Sequence, residues 1–218
     1  MNSNYDLFTV GYYICEYCEN PKYLHFDVER FFSVSDCLCD HEPCVTKTHG
    51  WQIDGDKPEY LAKLGLDHDS YLTYSEEVNK LFHEDRLFMD GRFLYFNDAR
   101  YFYEKYFSDG RYSFVRIRAD KSYKNLLAED IFLPEYEDCD VTCETLGCDV
   151  LGWDGACVVF HSFLCNSLQD LFEGLKFTQH GIADVDYAEA EKMADIIIED
   201  GSGEPVEWLP FTVEAVVI

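Results

Sequence analysis

The sequence predicts an α+β fold, with a mainly antiparallel sheet, hairpins at Asp-Gly turns and about five helices packed on the sheet. Three observations carry this prediction: short runs in which apolar and polar residues alternate, separate helical segments, and an Asp-Gly dipeptide that occurs five times. Asp-Gly between apolar runs favours a tight turn because both residues tolerate positive φ. The mixture of hairpins and separate helices is typical of an α+β fold and not of a parallel α/β fold.

The predicted strands follow from the alternating runs, at 7–17, 23–34, 112–118 and 208–217. Turns at Asp90-Gly91 and Asp154-Gly155 add two hairpins, which join 86–89 to 92–96 and 149–153 to 156–160. In the last strand Phe211, Val213 and Ala215 alternate with Thr212 and Glu214, the pattern of a half-buried strand.

The predicted helices lie where capping residues precede helical periodicity, at 58–64, 75–84, 97–107, 162–175 and 186–199. The first has Pro58 in its opening turn and Gly65 as its stop. The last has the best start signal, since Asp186 and Glu189 form a pair with the spacing of a capping box.

Length and composition predict one folded domain over residues 1–218, and in the alternative arrangement residues 1–50 form a small Cys-rich lobe. Hydrophobic residues make up 47% of the chain and aromatic residues 17%, which excludes a chain that stays disordered. The first seven residues do not resemble an export signal, and no run of about 18 apolar residues occurs. The ten cysteines are therefore interpreted as reduced thiols in a cytoplasmic protein, with five disulfides in a secreted protein as the alternative.

The formal net charge of −26 is unevenly distributed: −9 over residues 1–80, +2 over 81–125 and −19 over 126–218. A charge of this sign disfavours nonspecific binding to nucleic acid or to an anionic membrane. The acids of the last segment are interleaved with apolar residues, which indicates a folded surface with a strong negative field.

The N-terminal cysteines suggest a structural zinc site, because a Cys-x-x-Cys pair precedes a second cysteine group at a knuckle-like separation. The candidate ligands are Cys15, Cys18, Cys37, Cys39 and Cys44, with His41 as another choice for the fourth ligand. The second pair is Cys-x-Cys where Cys-x-x-Cys is usual. The alternative is a set of small buried or loop cysteines.

The central segment interleaves basic and aromatic residues, as single-stranded nucleic-acid-binding surfaces do. The basic members are Arg86, Arg92, Arg100, Arg111, Arg116, Arg118, Lys121 and Lys124. A chain of net charge −26 would not concentrate phosphates, so we expect these residues to pair with the surplus acids of the C-terminal part while the aromatics fill the core.

No catalytic residue is predicted. Phosphate loops, dinucleotide fingerprints and the common hydrolase motifs do not occur in the sequence. His161 and Cys165 would share a helix face, as a thiolate and its base could, but an apolar helix that contains a buried cysteine is the ordinary explanation.

Size, acidity and cytoplasmic character make the chain similar in physical type to nuclease inhibitors and toxin-immunity proteins, without a family motif. We therefore expect an acidic binding protein that inhibits a basic, nucleic-acid-processing partner protein, in one variant as a DNA mimic, with no direct binding to nucleic acid or membranes. The candidate partner-binding residues are acids of the C-terminal part: Glu135, Glu137, Asp138, Asp140, Glu144, Asp184, Asp186, Glu189, Glu204 and Glu207. The alternatives are a zinc-stabilised adaptor and an enzyme with an unrecognised site.

Overall fold

The structure, a computed structural model, describes residues 5–19, 30–35, 65–88, 90–135, 141–155, 159–164 and 168–218. The predicted helix at 58–64, the turn at Asp54-Gly55 and the boundary near residue 50 lie outside these residues. So does most of the predicted strand at 23–34.

Five strands form one antiparallel sheet in the order β1-β4-β7-β5-β6. They are β1 (Leu7–Glu16), β4 (Tyr112–Asp120), β5 (Cys143–Asp154), β6 (Val159–Ser162) and β7 (Glu207–Val216). Two short strands, β2 (Cys18–Glu19) and β3 (Arg30–Phe31), pair separately. The α+β class and the antiparallel sheet are therefore confirmed, and the strands expected at 7–17, 112–118 and 208–217 are present.

Four α-helices lie in the described part of the chain, so the expected number of about five is not confirmed. They are α1 (His68–His83), α2 (Phe96–Tyr106), α3 (Lys124–Asp130) and α4 (Tyr187–Asp200). Two 3₁₀ turns, Lys121–Tyr123 and Leu168–Leu171, accompany them. The short α3 has no counterpart among the predicted helices.

Capping residues fix where the two longest helices begin. The carboxylate of Asp67 accepts a hydrogen bond from the Ser70 backbone N–H at 2.8 Å, so α1 starts earlier than the predicted Ser75. At α4 the predicted capping box is confirmed: Asp186 accepts from the Glu189 N–H at 2.9 Å, and Glu189 accepts from the Asp186 N–H at 3.1 Å.

The helix predicted over 162–175 is wrong. Its first residue, Ser162, is the last of β6 and lies opposite Leu151 of β5, and the described later residues, 168–175, contain only a 3₁₀ turn. The apolar residues of this segment are buried without a helix: Phe163, Leu164 and Leu168 pack in the cluster that faces α4. A short apolar run fits a strand edge as well as a helix, and periodicity does not separate the two.

The predicted Asp-Gly hairpins are not confirmed. Around Asp90-Gly91 only a single bridge forms between the two arms, and Phe93 instead exchanges two backbone hydrogen bonds with Tyr12, both of 2.9 Å, at the outer edge of β1. After Asp154 in β5, pairing resumes only at Val159, so the connection is longer than a two-residue turn. Asp200-Gly201 ends α4, with Gly201 at φ 68°.

Both faces of the sheet are buried. One face packs against Phe32, Val34, Leu127 and Ile131. The opposite face is covered in two places, by α4 at one end and by α1 with α2 at the other. Along β7, Trp208 belongs to the first of these clusters and Val216 packs against the second, with Thr212 and Glu214 between them. A polar strip therefore crosses this face between two apolar clusters.

Candidate partner-binding cleft

The polar strip is built by two neighbouring strands whose alternate residues point to the same face. Glu214 of β7 lies opposite Arg116 of β4, and Thr212 lies opposite Arg118. A half-buried strand would leave Thr212 and Glu214 in solvent, but they are only 6% and 8% exposed. The cause is the pair of helical covers, which flank the strip on both sides.

The buried carboxylate of Glu214 forms a charged triad with Arg116 and Arg118. Arg116 donates to Glu214 Oε2 from Nε at 2.7 Å and from Nη2 at 2.6 Å. Arg118 Nη1 lies 3.9 Å from Glu214 Oε1, and Arg118 Nη2 donates to the Leu7 carbonyl at 2.6 Å. Two arginines therefore neutralise one carboxylate, and desolvated charges of this kind are retained only when they are paired.

A cleft of about 590 Å³ lies over this strip, beside the start of α4. Its floor contains Thr212, Glu214 and Cys148, and its walls include Tyr5, Leu7, Thr145 and the segment 184–187. A second depression, of about 300 Å³, lies on the other side of the same segment and includes Glu173, Glu189 and Met193. Asp184 and Val185 line both, so this segment forms the ridge between them.

The structure brings together three predicted partner-binding residues around this ridge. Asp184, Asp186 and Glu189 are all exposed. Asp186 and Glu189 are engaged in the capping box, whereas Asp184 extends from a segment whose backbone N–H bonds to the Lys176 carbonyl at 2.9 Å. Carboxylates in this arrangement can accept hydrogen bonds from ammonium or guanidinium groups that approach the cleft mouth.

The acidic surface continues along α4. Residues 184–207 contain nine acids and one base, Lys192. Eight of the nine carboxylates are exposed, and Glu191, which is half-buried, accepts hydrogen bonds from Tyr5 and Tyr123. Over the described ranges, no Lys or Arg forms an ion pair with any of the nine. The nine carboxylates therefore form no ion pair within the described chain, and the segment keeps a net charge of −8.

The expected pairing between the central arginines and the C-terminal acids is mostly wrong. Among the described residues, only Arg116 and Arg118 reach a C-terminal acid, and both reach Glu214. Five other members of the predicted basic set use acids close by or at the N-terminal side: Arg86 with Glu84 and Asp98, Arg92 with Asp90, Arg100 with Glu104, Arg111 with Asp109, and Lys121 with Asp6. Pairs at short sequence separation form because the helices and turns already hold both partners close together.

The remaining predicted partner-binding residues are dispersed. Glu135, Glu144, Glu204 and Glu207 are exposed. Glu144 lies on β5 opposite Ala215, one residue from the cleft wall, whereas Glu204 and Glu207 lie beyond the other end of α4. Glu137, Asp138 and Asp140 lie outside the described residues.

Of the candidate zinc ligands, Cys37, Cys39, Cys44 and His41 also lie outside the described residues. Cys15 is fully buried in the core cluster on one sheet face, and Cys18 packs against the cluster around α4. No group of three metal-ligating side chains occurs in the part of the chain that the structure describes.

The side chains of the cleft that could act as nucleophiles, acids or bases are either protonated or already bonded to other groups. Burial raises the pKa of the Cys148 thiol to about 12, so this thiol stays protonated at neutral pH. Glu214 is held by Arg116, and Asp186 caps α4. The described lining therefore offers no activated nucleophile with its base. His161, the other candidate for catalysis, lies on β6 and not on a helix, and Cys165 lies outside the described residues.

One buried carboxylate of β5 has no cation beside it among the described residues. Asp149 follows Cys148 on β5, is 5% exposed and lies opposite Phe211. Its Oδ1 accepts a hydrogen bond from the Val150 N–H at 2.8 Å. Burial raises the pKa of this carboxyl to about 7, and the backbone hydrogen bond opposes the shift.

Sequence reasoning missed the floor of the cleft. Thr212 and Glu214 were read as one side of a half-buried strand, and Arg116 and Arg118 as part of a basic and aromatic segment. The signal in the sequence was the spacing of two residues between Thr212 and Glu214 and between Arg116 and Arg118, which places both members of each pair on the same face of their strand. Pairing β4 with β7 was the missing step.

No protein-family model, curated protein or solved structure matches this chain. Within the described ranges, every helix is too short or too polar to cross a membrane.

Proposed function

We propose that this protein binds a basic partner protein through the acidic surface of residues 184–207 and the cleft at its N-terminal end, and that it thereby inhibits the partner. The observation that carries the proposal is the set of nine acids, none of which forms an ion pair with a Lys or Arg of the described chain. A basic, nucleic-acid-processing protein exposes a phosphate-binding surface of opposite charge, and occupying that surface blocks its substrate.

The geometry supports binding through exposed carboxylates more than chemistry in the cleft. The cleft mouth carries the exposed Asp184 and Asp186, which can accept hydrogen bonds from arginine or lysine side chains of a partner. The inward carboxylate, Glu214, is already paired with two arginines. Exposed, unpaired charges steer association and make it sensitive to ionic strength.

The test is affinity capture from lysate of the native host at low and moderate salt, followed by binding measurements on the captured protein. We expect a basic protein whose association rate falls by about tenfold to a hundredfold as salt screens the charges. A variant with Asp184→Asn, Asp195→Asn, Glu199→Gln and Glu204→Gln should lose much of this affinity.

The matched control neutralises four acids that already have local cationic partners: Asp6→Asn, Glu84→Gln, Glu104→Gln and Asp109→Asn. Both variants change the net charge from −26 to −22, so a general charge effect would weaken binding equally. Preferential loss in the 184–207 variant supports the proposal. Capture of no basic protein, or binding that does not respond to salt, overturns it.

A further inference from the structure

Phe132, which follows α3, is the most exposed large apolar side chain in the described part of the chain, at 62%. It lies on the side of the molecule where Leu127 and Ile131 cover the sheet, and not on the α4 side. A large aromatic ring in water is costly, and exposed apolar surface of this kind is typical of interaction sites.

The exposed ring of Phe132 is held in place. It stacks on Phe88 with ring centroids 5.3 Å apart and an angle of 19° between the planes. The Phe132 carbonyl accepts a hydrogen bond from Arg92 Nη1 at 2.5 Å. An exposed aromatic that is already ordered loses little conformational entropy when a partner binds.

The arginine that holds Phe132 is itself fixed in the core. Arg92 is 1% exposed; its Nε lies 3.3 Å from Asp90 Oδ2, and its Nη1 also donates to the Val10 carbonyl at 3.2 Å. Asp90 in turn accepts a hydrogen bond from Tyr13 Oη at 3.0 Å. This network ties the segment after α3 to β1, so the position of Phe132 is set by the sheet.

Beside Phe132 lies a groove of about 490 Å³, which we call the Phe132 groove. Its apolar lining comes from Ala128, Ile131, Leu133 and Pro134 together with Phe132 itself. Its charged lining residues are Glu129, Glu135 and Lys124. An apolar depression with a charged rim is the arrangement of an interface hot spot.

The charge of the groove rim indicates which occupant fits. Among the charged residues that line the groove, two are acids, Glu129 and Glu135, and one is a base, Lys124, so the rim is net negative. An apolar segment with acidic flanks would be repelled by these carboxylates, whereas one flanked by Lys or Arg would pair with them.

We propose that the Phe132 groove receives an apolar side chain from a Lys/Arg-rich segment of the partner protein. The inference rests on the proposed function, because the occupant is part of the basic partner. It adds a second contact region, on the sheet face opposite α4, in which specificity comes from burial of an apolar side chain and not from charge alone.

The test uses two labelled synthetic peptides of equal length and equal Lys content, one with a single Leu and the other with Ser in its place. On the unmodified protein we expect the Leu peptide to bind about tenfold more tightly by fluorescence anisotropy, because the groove buries its side chain. Phe132→Ala should abolish this preference. Leu72→Ala, which truncates a 48%-exposed side chain on α1, is the matched control and should retain it.

The rim is tested separately with the double variant Glu129→Gln/Glu135→Gln, which should weaken both peptides by a similar factor and keep the preference for Leu. Circular dichroism of each variant reports whether the fold is intact. Phe132→Ala should leave the spectrum unchanged, because it truncates an exposed ring and keeps the backbone carbonyl that bonds to Arg92.

The outcomes separate this inference from the proposed function. Equal, salt-sensitive binding of both peptides overturns the groove assignment and leaves the basic-partner proposal standing. A Leu preference that survives Phe132→Ala also overturns the groove assignment. Failure of both peptides to bind at low salt counts against both proposals. If sedimentation shows a dimer that Phe132→Ala converts to a monomer, a second copy of the chain is the occupant and the inference is wrong.

Discussion

Replacing Asp149 by Asn should stabilise the protein at neutral and alkaline pH. Its carboxyl is buried with no described cation beside it, and its pKa is raised from 3.8 to about 7. A raised pKa means that the folded state holds the proton more tightly than the unfolded state. Stability from this group is therefore fully present below pH 3.8 and is lost as pH rises toward 7.

The magnitude follows from the shift. About three pKa units correspond to about 4 kcal/mol of unfolding free energy, lost at about 1.4 kcal/mol per pH unit. Asn keeps the oxygen that accepts the Val150 N–H and carries no charge, so Asp149→Asn removes this loss. Near pH 4 the two proteins should differ by less than about 1 kcal/mol.

The assay is urea unfolding of both proteins from about pH 4.5 to about pH 7.5, with the difference in free energy plotted against pH. Taking the difference cancels contributions from other groups, such as Asp109 and Asp120, whose pKa values are lowered. Leu72→Ala, which changes an exposed side chain that does not titrate, is the control and should give a flat difference. A flat difference for Asp149→Asn as well would refute the reasoning, because it would mean that burial does not raise this pKa.

Three further predictions concern the cleft and α4. Glu214→Ala leaves the 9%-exposed Arg116 unpaired and should lower the free energy of unfolding in urea by about 3 kcal/mol. The double variant Glu214→Leu/Arg116→Met should recover most of this lost stability. No recovery would argue against charge burial as the cause. Cys148 should resist alkylation at about pH 8 until the protein unfolds, since burial raises its thiol pKa to about 12, and rapid native labelling seen by peptide mass spectrometry would contradict this. Asp186→Ala should lower the free energy of unfolding by about 1 kcal/mol through loss of the helix cap, whereas the control Asp195→Ala, at an exposed position of α4, should not change it. Equal shifts of the melting temperature in the two variants would mean that the cap contributes nothing.

Local signals in the sequence predicted the elements that depend on local physics. The alternation in 208–217 and the spacing of Asp186 and Glu189 each identify a strand or a helix start from neighbouring residues alone. The segment 162–175 was misassigned because its conformation depends on β5, whose edge pairs with His161 and Ser162. A free edge elsewhere in the fold is invisible to local periodicity.

The candidate site was predicted only in part for the same reason. Exposed acids such as Asp184 and Glu189 follow from composition, because most carboxylates of an acidic chain lie at the surface. The buried Glu214 does not, since its arginine partner lies 98 residues away on another strand. The exposure of Phe132 was equally hidden, because a hydrophobic residue in sequence is assigned to the core by default.

The strand order also constrains how the protein is made on the ribosome. β7, at Glu207–Val216, lies between β4 and β5, so until it is synthesised the β1-β4 pair and the β5-β6 pair have no strand to join them. Each half then exposes an unpaired edge that can recruit strands from other chains. Nascent chains interrupted before residue 207 should therefore aggregate, and cellular factors that shield exposed strand edges should act on this protein until translation passes the last strand.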